Sequence, residues 1–497
     1  MLYFMSSTHS RRQFLQYSSA LALSQLPWLS GCATRTPEAV LSVDPKAWEE
    51  LARHLKGPLL RPGDHNFNKI AATWNLRYSN VQKPAGIARC DNADDVRVSL
   101  QWAQEHKLPL VARSGGHSYS GYSTTPGLMI DLSLQNSLSF DDSTGKATVG
   151  AGARNATLYD ALPAKKSSVT HGRCKQVGVG GLVLGGGIGF NMRLHGLLID
   201  QLVQTDVMLA SGETRRCSAH ENADLFWACR GGGGGNFGIN TSFTFQTFPV
   251  GNVTVFDISW NEKIDEMLPA ALDLLPTMPD RLGCKLSVNT KTPGVLTINL
   301  LGQLVGPKDE FDKLMAPLFR LAAPFQQLIE YKPYWDAQEN LTEAGLPEFS
   351  HERSRYALGD ISVAGSRAIL KHMRSWPGTH DQATWKMFLG GGAINKVSST
   401  ATAYWHRSAS MVTSVELNWK PADSNVVLAV NEAWLARFHD DMAQYTSRQC
   451  YQNFIDNAQK NYLRAYYGDN LDRLVEVKRA VDPKNIFNYP QSIPLKL

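Results

Sequence analysis

The chain has 497 residues, of which 43% are hydrophobic and 19% charged, with 12 Trp, 19 Phe and 16 Tyr. Its length exceeds the ~100–200 residues of one ordinary domain, and its apolar and aromatic content excludes intrinsic disorder and low-complexity fibres. Fifty Lys and Arg against 45 Asp and Glu leave a net charge of +5, too weak and dispersed to indicate a nucleic-acid partner.

Ser10-Arg11-Arg12-Gln13-Phe14-Leu15 begins a largely apolar, uncharged run to Leu29, shorter than the ~20 residues of a spanning helix. The layout resembles a twin-arginine export signal, whose translocon carries folded proteins, and so implies a cofactor inserted before export. Leu29-Ser30-Gly31-Cys32 resembles a lipobox, so residues 1–33 read as an export signal with Cys32 as a lipid anchor. Ordinary cleavage after Ala33, or a chance Cys in the signal, are the alternatives. The expected location is periplasmic, or lipid-anchored at the cell envelope. None of the seven Cys forms a CxxC, and no second pair answers His171-x-x-Cys174, so no metal site is expected. An oxidising compartment leaves disulfide pairing among the other cysteines open.

Trp48, Leu51 and Leu55 predict an amphipathic helix over 44–56, and Val96, Leu100 and Ala103 another over 93–106. A strand over 108–113 runs into the turn Ser114-Gly115-Gly116-His117, where glycines let backbone amides approach a ligand. Strands follow at 128–132 and 146–149, a helix at 154–162 and a strand at 203–209. Seven of the twelve positions 178–189 are Gly, and Gly231 to Gly235 are five in succession, too many for ordinary turns. Gly233-Gly234-Gly235-Asn236-Phe237-Gly238 formally satisfies GxGxxG. However, a helix (222–228) precedes it and a strand (240–248) follows, the reverse of a dinucleotide fold. Beyond Val250, strands at 254–260, 284–289, 295–302 and 410–419 mix with helices at 264–275, 309–321 and 427–444. A last helix at 471–481 is stopped by Asp482-Pro483.

Four ordered motifs carry a family resemblance: Arg113-Ser114-Gly115-Gly116-His117-Ser118; His171-Gly172-Arg173-Cys174 with the glycines from Gly178 to Gly187; Arg230 with the five glycines and Asn236-Phe237-Gly238; and Tyr467 to Asn470 with Gln491-Ser492-Ile493-Pro494. From Arg77 to Pro494 the chain resembles the berberine-bridge-enzyme-like FAD-linked oxidases, of the PCMH-type flavoprotein superfamily that includes vanillyl-alcohol oxidase. The resemblance implies FAD attached covalently twice, through His117 to the 8α-methyl and through Cys174 to C6. It implies a cofactor cradle of Arg113, Ser114, Gly115, Gly116, Ser118, Gly178, Val179, Gly180, Gly181 and Gly187, completed by Asn236, Gly238, Ile239 and Asn470. Relatives often carry His where this chain has Leu182, a departure that bears on flavin reactivity rather than on binding.

Hydride transfer from an alcohol carbon needs a base for the hydroxyl proton. The family offers Tyr451, in Tyr451-Gln452-Asn453-Phe454, and the strand carrying Ser414 and Glu416, which share a face by the period of two. Tyr451 is the first candidate and Glu416 the second, with Tyr466 and Tyr122 as further pocket residues. Phe454 excludes a tyrosinate at the second aromatic.

The resemblance implies an α+β, two-domain fold: an FAD-binding PCMH-type domain over 46–250, a substrate domain with an antiparallel sheet over 251–449, and a carboxy-terminal segment over 450–497 completing the FAD domain. The expected activity is oxidation of a small alcohol or carbohydrate, with electrons passed to oxygen or another acceptor. A dehydrogenase that does not use oxygen is one alternative. A flavin-binding protein with lost or weak catalysis is another, which Ser414 and Leu182 keep open.

Overall fold

The computed structural model describes residues 43–497. The export signal, the lipobox and Cys32 lie outside the described residues. The first helix, Pro45–His54, starts where the sequence places it, because the Asp44 carboxylate caps Lys46 N–H at 2.9 Å and Pro45 presets φ at the first turn. Its apolar stripe buries Trp48 against Trp102 of the helix Ala93–Glu105, with ring centroids 4.5 Å apart.

Two sheets share one apolar core in the first half of the chain. In the first, the parallel strands Gly86–Arg89, Leu128–Asp131 and Leu110–Arg113 carry an antiparallel edge at Leu59–Leu60. In the second, five antiparallel strands run in the order Leu138–Asp141, Lys146–Gly150, Ile239–Gln246, Leu202–Met208, Thr214–Ser218. Strand Leu110–Arg113 begins two residues later than the sequence predicts, because Pro109 has no N–H to offer the ladder. The glycine run after the helix Ala223–Ala228 leads into the strand Ile239–Gln246, the helix-glycine-strand order read from the sequence.

The second half is a seven-stranded antiparallel sheet in the order Gln326–Pro333, Asn252–Trp260, Val295–Leu304, Leu282–Thr292, Ala383–Leu389, Met411–Trp419, Phe349–Ala357. Alternation decides its two faces. Leu286, Trp385, Met387, Val415 and Leu417 point to a second core, roofed by the helices Ile264–Leu274, Lys308–Leu321, Val363–Arg374 and Asn425–Asp441. Their neighbours Lys285, Lys386, Ser414 and Glu416 point the other way, a polar set that no apolar core absorbs. Edge strand Phe349–Ala357 escapes the sequence reading because His351, Arg353 and Arg355 occupy positions that a strand pattern reserves for apolar residues. Those charges are instead met by Asp456, Glu432 and the His439 carbonyl.

The carboxy-terminal residues return to the first core. The helix Leu471–Val481 carries Lys478, fully enclosed, whose ammonium donates to Asp482 at 2.7 Å, to Asn236 O at 2.7 Å and to Phe487 O at 2.6 Å. The disulfide question resolves among the described residues: Cys90, Cys217, Cys229, Cys284 and Cys450 are buried free thiols, and Cys174 is a partly exposed one. The last long helix spans Asn425–Asp441 and continues as a 3-10 turn to Gln444, so its first residues lie outside the predicted range.

Candidate functional site

Two turns bring His117 and Cys174 to one small space. The strand Leu110–Arg113 ends in the Ser114–Ser118 turn, where Ser114 Oγ donates to Ala151 O at 2.6 Å and Ser118 Oγ accepts from Tyr122 N–H at 3.1 Å. The turn packs directly on the second glycine segment, since a Cβ at Gly115 would lie 2.3 Å from Gly178 N, so both positions must be Gly. A Cβ at Gly345 would meet Cys174 Cβ at 2.8 Å and His117 Nε2 at 3.6 Å, so this one glycine marks the space that both side chains face.

The side chains here fit a covalently held flavin. His117 Nε2 is buried without a hydrogen-bond partner, and burial pushes the imidazole pKa down to about 4, so it stays neutral and nucleophilic. Gly181, at the exposed point of an otherwise buried turn, has nothing within 4 Å of a would-be Cβ, leaving open space beside its backbone. Other predicted cradle residues also make contacts within the protein. The Arg113 guanidinium ties down the carbonyls of Ala71 and Ala72. Asn236 bonds Gly232 O at 3.0 Å and Ile493 N–H at 2.9 Å, and Asn470 bonds Ser399 O at 2.7 Å. Val179 and Gly180 form the first turn of a short helix, Gly187 N–H donates to the Tyr451 hydroxyl, and Gly238 and Ile239 lead into the five-stranded sheet against Met208.

An aromatic row leads away from His117. The Trp74 ring stacks on the His117 ring at 4.4 Å and on Tyr119 at 5.2 Å, and Tyr119 stacks on Phe454 at 5.3 Å. Lys386 Nζ lies 5.9 Å from the Phe454 ring centre. The row ends in the charged group on the polar face of the seven-stranded sheet. Cross-strand register places Glu352 beside Glu416 and Lys386 beside Ser414. Lys386 Nζ donates to Glu416 Oε2 at 2.7 Å and lies 3.1 Å from Glu352 Oε1. Ser414 Oγ donates to Glu352 at 2.5 Å, and Ser350 Oγ to Glu416 Oε1 at 3.1 Å.

The group is electrostatically lopsided. Burial opposes charge on Glu416, but Lys386 overrides it and holds this carboxyl well below the usual range. On Glu352 burial dominates over Lys386 and, with the nearby Glu416 charge, pushes the carboxyl up. Glu348, partly buried beside Glu416, is pushed up for the same two reasons. Lys386, although buried, is held charged by both of its carboxylates.

Among the predicted catalytic residues, Glu416 belongs to this group and the three tyrosines do not. Tyr451 is enclosed among Tyr356, Tyr404 and Phe454. Its hydroxyl accepts from Gly187 N–H at 3.0 Å and Asn453 Nδ2 at 3.1 Å, and burial pushes its pKa up to about 12. The Tyr466 hydroxyl accepts from Asp456 N–H at 3.0 Å, and Tyr122 packs on Tyr489, away from the charged group. Leu182 sits half-buried near Gly172. Sequence reasoning missed Trp74, Tyr119, Lys386 and Glu352. Tyr119, two residues past His117, was within reach, whereas Lys386 and Glu352 meet Glu416 only through strand register.

Residues 84–218 match the family model described as FAD binding domain, and residues 450–494 the one described as berberine and berberine like. The FAD-linked oxidoreductase YgaK of Bacillus subtilis is 33% identical over 453 residues, covering 88% of this chain and 97% of its own length. A glucooligosaccharide oxidase of Sarocladium strictum is 29% identical over 455 residues, covering 84% of this chain and 89% of its own. The solved structure of Physcomitrella patens BBE-like 1 has a TM-score of 0.83 at 27% identity, covering 90% of this chain and 99% of that one. That of an Acremonium strictum glucooligosaccharide oxidase, studied for its 6-S-cysteinyl, 8α-N1-histidyl FAD, has a TM-score of 0.78 at 24% identity, covering 90% and 99%.

Proposed function

This chain belongs to the FAD-linked oxidoreductases of the berberine-bridge type, and from that premise we propose that it oxidises an alcohol or carbohydrate carbon with a flavin held covalently by His117 and Cys174. The observation that carries the proposal is the convergence of a neutral His117, its Nε2 without a partner, and of Cys174 on the space marked by Gly345, with an aromatic row running from there to Lys386. Bound there, the flavin supplies the two-electron acceptor, and the protein's share is positioning and proton handling.

The proton of the substrate hydroxyl passes to the carboxylate group on the facing sheet. Glu416, with 13% of its side chain exposed against 1% for Glu352, is the face that meets the substrate. Glu352, pushed up by burial, holds the proton more readily, and Lys386 couples the two into one proton-accepting unit. Tyr119 and Phe454 give a stacking floor suited to a sugar ring or an aromatic alcohol, which accords with the substrates named for the oligosaccharide oxidases. Oxygen is the acceptor in this reading. Two covalent links would keep the flavin in place after export, which agrees with reading residues 1–33 as a signal that sends the protein to the cell envelope.

Acid precipitation followed by in-gel flavin fluorescence and peptide masses tests the attachment. Colour stays with wild type, and His117→Ala and Cys174→Ala each keep the other link. Flavin that washes out of wild type refutes the attachment. Anaerobic bleaching with a carbohydrate and alcohol panel tests the chemistry, and bleaching by none of them overturns it.

A further inference from the structure

Glu343 lies against the Cys174 thiol through contacts that the backbone fixes. Lys175 N–H donates to Glu343 O at 2.9 Å and Glu343 N–H to Arg173 O at 3.2 Å, so a short parallel bridge pairs residue 174 with residue 343. In that register Cys174 Sγ donates to Glu343 Oε1 at 2.7 Å, and Arg173 Nη2 lies 3.4 Å from Glu343 Oε2. Two residues on, Gly345 faces both Cys174 and the unpartnered His117 Nε2. The chemistry proposed above uses neither Glu343 nor Arg173.

We propose that Glu343 is the general base that takes the Cys174 thiol proton as the sulfur bonds to C6 of the flavin ring. The proposal rests on the reading that Cys174 carries the flavin. Cysteines that react unaided have lowered pKa values, from a nearby cation or a helix N-terminus. Here burial first and Glu343 second push the thiol well above its ordinary value, so free thiolate is scarce and the proton must leave as the bond forms. Glu343 is equipped to receive it: its surroundings oppose the charge, but Arg173 and the thiol's hydrogen bond hold the carboxyl below the usual range and therefore ionised.

In the balanced step, the thiol proton moves from Sγ to Glu343 Oε1 and the sulfur electron pair forms the S–C6 bond. The hydrogen on C6 departs as a proton. The ring system takes up two electrons and passes them to dioxygen, the acceptor of the proposed turnover. One thiol, one C6–H and one dioxygen thus become one thioether and one hydrogen peroxide. Glu343 then releases its proton to solvent, to which half of its side chain is open.

The test uses full-length wild type, Glu343→Gln and Glu343→Asp, with proteolysis and mass measurement of the peptides bearing His117 and Cys174. Glu343→Gln is expected to keep the His117 link while the rate of Cys174 linkage at pH 7 falls at least ten-fold. Incubation at pH 9 in air should recover the linkage, as hydroxide replaces the missing base, and Glu343→Asp should fall between. Linkage at the wild-type rate in Glu343→Gln overturns the proposal. So does loss of both links together, because Glu343 is assigned to Cys174 alone. If wild type itself carries no flavin on Cys174, the parent reading has failed, and the wild-type sample reports this before any variant is compared.

Discussion

Replacing Lys386 with Met keeps the length of the side chain but removes the one positive charge between Glu352 and Glu416, from which it lies 3.1 and 2.7 Å. An opposite charge at this range lowers a carboxyl pKa by about 1–3 units, or about 1.4–4 kcal/mol at 1.36 kcal/mol per unit. With Lys386 and Glu416 each only 13% exposed, little of that is screened. Glu416 has a depressed folded pKa, so in wild type its stabilising effect is present above the unfolded value and is lost only as strong acid protonates it. Lys386 has a raised folded pKa, so its contribution is present below the ordinary lysine range and lost only in strong alkali. In Lys386→Met the two carboxylates must share a proton. The acid limb of anaerobic flavin bleaching, followed by stopped flow against pH, is therefore expected to move up by about 1–3 units. The rate at high pH should recover, which separates a lost charge from a collapsed site, and a thermal melt on the same samples checks the fold. An acid limb that stays where wild type has it refutes the assignment of the proton to this group.

Gly345→Ala puts a methyl 2.8 Å from Cys174 Cβ at a backbone φ of +66°, costing on the order of 1–2 kcal/mol in strain alone. Peptide masses should show flavin still on His117 but less of it on Cys174 than in wild type, and an unchanged ratio of the two counts against the shared space. Lys478→Met leaves Asp482 as an unpaired buried charge, a change that typically costs about 3–5 kcal/mol. For a chain of this size that is a drop of roughly 3–5 °C in melting temperature at ~2.1 cal/mol/K per residue. Calorimetry giving no drop would show that the enclosed ammonium is not needed to hold the tail.

The glycine segments were legible in the sequence because the demand for them is local. Gly115 and Gly178 touch, and nothing with a Cβ could take either place. Helix Ala93–Glu105 declared itself by its apolar period, and Leu471–Val481 by the Asp482-Pro483 stop that ends it. Strand Phe349–Ala357 did not, because its arginines and histidine find their partners some eighty to a hundred positions away. Glu416 could be singled out as one of a pair on a strand face, but its partners Lys386 and Glu352 come from two other strands. Tyr451 stood out by its motif, and the structure adds that its hydroxyl accepts from Gly187 N–H and Asn453 Nδ2.

The anchoring of Asn236 bears on the order in which the molecule can be assembled. Its carbonyl is held by Lys478 and its side chain by Ile493 N–H, 242 and 257 positions later in the chain. A ribosome that has released the five-glycine run therefore still holds back the residues that fix its shape. The loop stays unset until Lys478 and Ile493 have been made, and every truncation upstream of Lys478 leaves it so. The shape of this loop is thus gated by residues made more than two hundred positions after it.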